Sequence, residues 1–305
     1  MENRGRNIKK SLGSQLSLLV SSVKINEPLK NHTTFRVGGP ASFFVELSNS
    51  KEVQEVFTFS NKEKIPFLVM GGGSNILFGD HGFKGIVAKL SGDFKKRLFK
   101  NETVEAGCAI NSSALLNNCI EKELSGVECL AGIPGTLGGA IWGNAGTGED
   151  YIGDYVKEVE IVDNTGKIKR IDRKILRFSY RGSNLKNCII LKAILSLKKA
   201  QKNVIVKKTD SVLSRRLKTQ PIDKRCAGCV FKNPENDNAG RLIELAGLKG
   251  LSFGQAKVSE KHANFIVNEG EAKALDIRSL ITVVRNKVKE KFSIELDLEI
   301  NVIGD

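Results

Sequence analysis

The chain is poor in aromatic residues: one Trp, three Tyr and 15 Phe make up 6% of 305 residues. No stretch interleaves Lys or Arg with rings, which argues against a platform that stacks single-stranded nucleic acid. Histidine is scarcer still. His32, His81 and His262 are too scattered to complete a zinc site with the lone C-x-x-C pair, Cys226-Ala-Gly-Cys229, so no metal site is expected. Six cysteines are too few for a disulfide scaffold and sit mostly in apolar contexts, which fits a reducing cytoplasm. No apolar run approaches the roughly 18 residues of a membrane span. Arg4, Arg6, Lys9 and Lys10 precede a short apolar stretch at 16–20 in the manner of a signal peptide, but ordinary sequence follows and secretion is not expected. Also missing are a G-x-G-x-x-G turn between strand and helix and a G-x-x-x-x-G-K-[ST] loop, which excludes the two commonest nucleotide sites.

Glycine is abundant in one place. Six glycines fall within the fifteen residues 132–146, written Gly132-Ile133-Pro134-Gly135-Thr136-Leu-Gly138-Gly139-Ala-Ile-Trp142-Gly143-Asn144-Ala145-Gly146. A second cluster, Gly71-Gly72-Gly73-Ser74-Asn75, lies upstream. Glycine lets backbone approach a bulky ligand closely, at an entropic cost that a plain loop need not carry. Two such loops, one stiffened by Pro134 and offering Thr136 and Asn144 as side-chain partners, favour a pyrophosphate-containing cofactor held from two sides. The net charge of +14 fits an anionic ligand, and fits equally a lysine-rich solvated surface.

The periodicity predicts strands over 43–47 and 67–70 with a helix between them, capped by Ser50 and running to about Lys64. That β-α-β unit carries the 71–75 glycines at a strand's carboxyl end, where α/β proteins bind ligands. Further strands are expected over 86–90 and 103–109, then a helix over 112–123 capped by Asn111. A hairpin follows at 156–162 and 167–171, with its turn at Asp163-Asn-Thr-Gly166, and then a strand over 188–197. Residues 201–218 form a basic, helix-like stretch resembling a domain junction. Beyond it lie a short helix at 240–245, a strand at 263–267 and an amphipathic helix over 274–291 with Ile277, Leu280, Ile281, Val284 and Val288 in register. Val230-Phe231 reads as strand, broken by Pro234, and the chain closes on 294–303.

Three motifs stay ambiguous on residue pattern alone. Cys226 and Cys229 have the spacing of a redox pair, but no helix follows them, and coincidental thiols, one of them functional, explain them better. Arg181 lies in a polar turn and fits either a surface position or a carboxylate clamp. Strand alternation puts Glu299 on one face with Glu295 and Asp297, as a solvated acidic face would have it.

Taken in order, Asn31-His-Thr-Thr-Phe-Arg-Val-Gly-Gly-Pro40, the 71–75 loop, the 132–146 segment, Tyr180-Arg181, Gly228-Cys-Val-Phe-Lys-Asn-Pro234 and the closing 294–304 resemble the UDP-N-acetylenolpyruvoylglucosamine reductase (MurB) family. The likeness covers residues 20–304. The chain lacks the tyrosine-bearing insertion of the longer subgroup and so resembles the shorter, second type. The resemblance implies an α+β fold: an FAD-binding module of the vanillyl-alcohol-oxidase (PCMH) type over 31–199, in subdomains of about 31–95 and 96–199, and an α+β substrate domain over 200–305. Residues 1–30 would pack on the core. It implies an NADPH-dependent, FAD-containing reductase of peptidoglycan precursor synthesis, acting on a UDP-sugar, with hydride delivered from flavin N5. No nucleic acid partner is implied, and a monomer is expected.

By the same resemblance Arg181 and Glu299 hold the substrate carboxylate and stabilise its enol form, while Cys229 stands at the proton-donor position where the family more often has serine. Gly71, Gly72, Gly73, Ser74, Asn75, Gly132, Ile133, Pro134, Gly135, Thr136, Gly138, Gly139, Asn144, Ala145 and Gly146 are the cofactor-binding set. Lys232, Asn233, Lys249 and His262 are the substrate set. A thiol is a stronger acid than a hydroxyl, so the exchange at 229 keeps a competent donor. Trp142-Gly143 and Thr147-Gly148 depart from the family's usual residues in the glycine segment. Thr219 stands where some members carry lysine, and Lys218 or Arg216 would replace that phosphate contact.

Overall fold

A computed structural model describes residues 2–148 and 150–304, which form two compact units. The first contains the chain up to Glu27, Ala41–Gly72 and Lys84–Leu213. The second contains Pro28–Pro40, Gly73–Phe83 and the described chain from Ser214 onward. Runs of strands, including an all-antiparallel five-stranded sheet, are interspersed with helices, so the expected α+β class holds.

In the first unit, helix α1 (Glu2–Leu19) buries Leu16 completely in a core shared with Phe43, Val45, Val53 and Val56. Helix α2 (Ser50–Lys62) starts one residue earlier than expected. Asn49, not Ser50, is the cap: its side chain accepts the Glu52 N–H at 3.0 Å, while Glu52 reaches back to the Ser48 N–H at 2.6 Å. Lys64, at φ 54°, turns the chain out of the helix. The expected strand Phe67–Met70 pairs in parallel with Phe83–Leu90, which lies between it and Pro40–Leu47 in a four-stranded sheet. A second, five-stranded sheet is antiparallel throughout, in the order Ile168–Asp172, Val156–Val162, Ile189–Ser196, Thr103–Gly107, Arg97–Lys100. Helix α3 (Ser112–Glu121) has the expected Asn111 cap, whose Oδ1 accepts the N–H groups of Ser113 and Ala114. With the short helix α4 (Leu137–Trp142) it closes that sheet's core, which includes Leu115, Leu116, Cys119, Leu137 and Ile141. Helix α5 (Lys202–Thr219) is the expected basic stretch.

The second unit gathers three separate pieces of chain round one core, in which Phe35, Leu77 and Ile277 are all fully buried. Helix α6 (Ala239–Leu245) precedes a three-stranded antiparallel sheet of Ser252–Phe253, Ala256–Val258 and Ile266–Asn268. Helix α7 (Ala274–Phe292) buries all five residues expected on its apolar face. Its first N–H groups, on Ala274 and Leu275, donate to the Asp80 carboxylate at 2.8 and 3.0 Å. Asn301–Ile303 pairs in parallel with Ile76–Phe78.

Three expectations need correction here. The strand foreseen at 263–267 is Ile266–Asn268, because His262 and Phe265 first close a tight turn through the Phe265 N–H and the His262 carbonyl. Val230-Phe231 is no regular strand but a single bridge, Phe231 to Leu298. Residues 294–300 are likewise not a strand. Ser293, at φ 59°, ends α7, and Leu296 and Ile300 are the buried positions, so alternation does not govern Glu299. Glu299 is half-buried, whereas Glu295 is exposed and paired with Arg285 and Lys289.

Candidate active site

Gly71, Gly72, the 132–146 segment and Arg181 belong to the first unit; Gly73, Ser74, Asn75, Cys229, Lys232, Asn233, Lys249, His262 and Glu299 belong to the second.

Gly71 and Gly72, from the upstream cluster, meet the 132–146 segment in the first unit. A Cβ added to Gly72 would lie 2.7 Å from Gly135 Cα, and one on Gly71 would lie 2.5 Å from Thr136 Oγ1. Backbone therefore packs on backbone, with no room for a methyl group. Gly135 at φ 128° makes the turn that permits this approach. Thr136 caps α4, its Oγ1 accepting the Gly139 N–H at 3.4 Å. Gly138 is pressed on Cys108, to whose carbonyl its N–H donates at 2.9 Å. The Ile133 N–H closes a turn on Leu130 O, and Pro134 is exposed. At Gly139 and Gly143 the surface is open: an added Cβ would meet only Thr136 Oγ1 at 3.8 Å and Gly139 O at 3.5 Å respectively. A side-chain-free stretch of backbone beside two meeting loops fits an elongated phosphate-bearing cofactor, which approaches main-chain donors closely.

Replacing Gly72 by Ala should show how tight the approach is. Overpacking typically costs about 1–3 kcal/mol, and here the contact is backbone rather than a yielding side chain. Thermal unfolding of the purified variant should show that loss together with lower cofactor retention. Unchanged stability would mean the loops can separate freely.

Asn144 departs from its expected use as a ligand-facing side chain. It is buried at φ 46°; its Oδ1 accepts the Gly153 N–H and its Nδ2 donates to Ser179 O, both at 3.0 Å. That bond ties the glycine segment to the small hairpin Phe178–Ser179 and Gly182–Ser183. Ser183 Oγ donates to Trp142 O at 2.9 Å, a second tie. Arg181 sits at the hairpin tip at φ 54°, its Nη1 donating to Gly146 O at 3.3 Å and its guanidinium 5.4 Å from the Tyr180 ring centroid. The Ala145 carbonyl accepts the Ile152 N–H at 2.9 Å. So the arginine and the glycine segment, some 35 positions apart, form one constructed piece.

In the second unit, Cys229 and Glu299 lie on two cross-linked segments. The Glu299 N–H donates to Val230 O and the Lys232 N–H to Asp297 O, each at 2.8 Å. Asn75 ties in the end of its loop: its Nδ2 donates to Glu299 O at 3.1 Å, and its carbonyl accepts the Asn301 N–H at 3.0 Å. Gly73 O accepts the Thr34 N–H at 3.1 Å, linking the first motif to the same loop. Sequence reasoning missed the residue that holds this together. Asn264, 3% exposed, accepts the Phe231 N–H through Oδ1 at 2.9 Å and donates to Phe231 O through Nδ2 at 2.8 Å. A lone polar residue inside the apolar run 263–267 was the available signal.

The substrate set, Lys232 apart, gathers round α6. Asn233 Oδ1 accepts the Ala239 N–H at 3.1 Å, a Cβ on Gly240 would lie 3.1 Å from His262 Cε1, and Lys249 Nζ lies 2.7 Å from Glu244. Burial, and then the Lys249 charge, lower the His262 pKa from its ordinary value, and its Nδ1 accepts the Asn264 N–H at 3.3 Å. Thr219 closes α5 on Arg215 O, and Arg216 is buried. Among the described residues no group of acidic, His and Cys side chains could hold a metal, and no helix is long and apolar enough to cross a membrane.

Family models match in two places: an FAD binding domain over residues 41–172, and the C-terminal domain of UDP-N-acetylenolpyruvoylglucosamine reductase over 220–303. Among curated relatives, the chain is 41% identical over 283 residues to the UDP-N-acetylenolpyruvoylglucosamine reductase of Caldanaerobacter subterraneus, covering 92% of this chain and 93% of that one. It is 38% identical to the enzyme of that name from Bacillus subtilis, covering 93% of this chain and 95% of that one. The crystal structure of the reductase MurB from Thermus caldophilus superposes with a TM-score of 0.81 at 34% identity, covering 93% of this chain and 98% of that one.

Proposed function

The chain belongs to the UDP-N-acetylenolpyruvoylglucosamine reductase family, and on that premise we propose that it reduces the enolpyruvyl ether of UDP-N-acetylglucosamine to UDP-N-acetylmuramate, with Cys229, Glu299 and Arg181 as its catalytic groups. It is an FAD-dependent oxidoreductase that uses NADPH. The glycine surfaces at 71–75 and 132–146 would hold FAD. When bound, that cofactor supplies hydride transfer, in from NADPH and out to the enolpyruvyl double bond.

The protein's own residues handle what hydride addition leaves behind. Negative charge builds on the substrate carboxylate, and a proton must reach the carbon that bears it. Arg181 neutralises that carboxylate and Glu299, in its acid form, donates a hydrogen bond to it. Cys229 gives the proton to carbon, and the resulting thiolate is reprotonated from solvent. Lys232, Asn233, Lys249 and His262 bind the diphosphate and sugar. The observation that carries this reading is the cross-linking of the Cys229 and Glu299 segments by the Glu299 N–H on Val230 O and the Lys232 N–H on Asp297 O, which supports a proton donor and a carboxyl group acting from one scaffold. The family-model matches at 41–172 and 220–303 lie inside the module bounds of 31–199 and 200–305, which supports that division. The reading includes a cytoplasmic monomer.

Purified protein should be yellow, bleach on anaerobic addition of NADPH, and recover its visible absorbance only when the enolpyruvyl sugar nucleotide is added. Colourless protein, or reduced flavin that ignores that substrate, would overturn the reading.

A further inference from the structure

The first unit contains a polar cluster, built on one buried carboxylate, for which the reaction above has no use. Glu128 is fully buried, yet its carboxylate accepts Ser125 Oγ at 2.5 Å and the Gly126 N–H at 2.7 Å, and lies 3.7 Å from Lys208 Nζ. Lys208, on α5, also lies 3.2 Å from Asp150, whose other oxygen accepts the Tyr155 hydroxyl at 2.7 Å. Burial works against the Lys208 charge, but Glu128 and Asp150 outweigh it and its pKa is raised. Two carboxylates, one cation and one phenol thus satisfy one another around the fully buried Glu128, with Lys208 reaching in from the surface, an arrangement in which losing one member leaves the others poorly paired.

Asp150 is also part of the glycine segment's frame. It pairs with Thr147, and Tyr151 with Gly146, in a two-residue antiparallel ladder. Gly146 is packed so tightly there that a Cβ would lie 2.2 Å from Asp150 O. Gly146 O in turn accepts Arg181 Nη1. A continuous path therefore runs from Lys208 and Tyr155 through Asp150 and the ladder to the guanidinium.

We infer that Asp150, fixed by Tyr155 and Lys208, is a positioning residue for Arg181, setting where the guanidinium meets the substrate carboxylate. The inference rests on the carboxylate role proposed for Arg181. Its test is a double-mutant cycle on the flavin-loaded enzyme with Asp150→Asn, Tyr155→Phe and Arg181→Lys, following kcat and KM for the sugar nucleotide and the rate of flavin bleaching by NADPH. Asp150→Asn and Tyr155→Phe should each lower kcat for the sugar nucleotide about tenfold, since small misplacements of a binding group cost that much or more. Bleaching by NADPH should be unchanged. In the Arg181→Lys background the further loss should be less than about twofold, because coupled residues are not additive. Full additivity, an equal loss in flavin bleaching, or an unchanged kcat would each overturn the inference. Should Asp150→Asn fail to fold, Tyr155→Phe decides alone, as it removes one hydroxyl and keeps the ring. If Arg181→Lys itself retains full kcat, the carboxylate role falls and takes this inference with it. If Arg181→Lys is impaired and Asp150→Asn is not, only the positioning falls.

Discussion

Cys229→Ala should lose roughly 10²–10⁴-fold in turnover of the enolpyruvyl sugar nucleotide, the range set by removing a general acid. Reduction of the flavin by NADPH should proceed at its normal rate, since no proton at the substrate carbon is involved. Cys229→Ser should keep substantial turnover, because a hydroxyl at the same position still donates. The pattern separates chemistry from folding: an alanine methyl is smaller than the thiol and opposes no hydrogen bond of the Val230 and Asn264 brace. The same thiol should make turnover sensitive to alkylation, and Cys229→Ser should abolish that sensitivity. Stopped-flow measurement of the two half-reactions decides the matter. An alanine variant that reoxidises with substrate as fast as the parent removes Cys229 from the mechanism.

Asn264→Ala should be the most damaging single change to stability in the second unit. It strips the Asn264 partners from the Phe231 N–H and C=O, both buried, and each unsatisfied group costs about 1–3 kcal/mol. The sum, about 2–6 kcal/mol, is a large part of the roughly 5–15 kcal/mol that holds an ordinary domain together. Asn264→Asp keeps the acceptor and loses the donor, so it should fall between. Denaturant unfolding measures both, and turnover of the sugar nucleotide should fall with them as the segments bearing Cys229 and Glu299 loosen. A loss within about 0.5 kcal/mol, ordinary for a surface change, would show that water replaces the amide at no cost.

Much of this was legible in the sequence because local rules and burial agree. The α7 stripe, the Asn111 cap and the strands flanking α2 each follow from spacing and turn chemistry, and each is present. The glycine clusters declared a close backbone approach, and Gly72 against Gly135 supplies it. What failed did so because polar side chains bond to groups, near or far in sequence, that periodicity does not weigh. Asn49 outcompetes Ser50 because Glu52 bonds back on both Asn49 and Ser48. Residues 294–300 look like a strand by alternation but are fixed by bonds to Val230 and Asn75. Asn144 has the composition of a ligand contact, yet its amide is committed to Gly153 and Ser179. Asp80 and Asn264 carry no local signature, since their partners lie on other elements, and Lys208 likewise reaches Glu128 and Asp150 from α5.

The interleaved second unit has a consequence in time. Asp80 is made 194 residues before the helix it caps, and Phe35 and Leu77 earlier than most of the core that buries them. At roughly 5–20 residues per second, Asp80 waits on the order of ten to forty seconds for α7 to leave the ribosome. During that wait the first unit's segments are already complete to Leu213, while Pro28–Pro40 and Gly73–Phe83, which carry Phe35 and Leu77, still lack their core. Non-local closure of this kind is slow and exposes the nascent chain to aggregation. The arrival of the last ninety residues is therefore the step at which this protein's yield in a cell is decided.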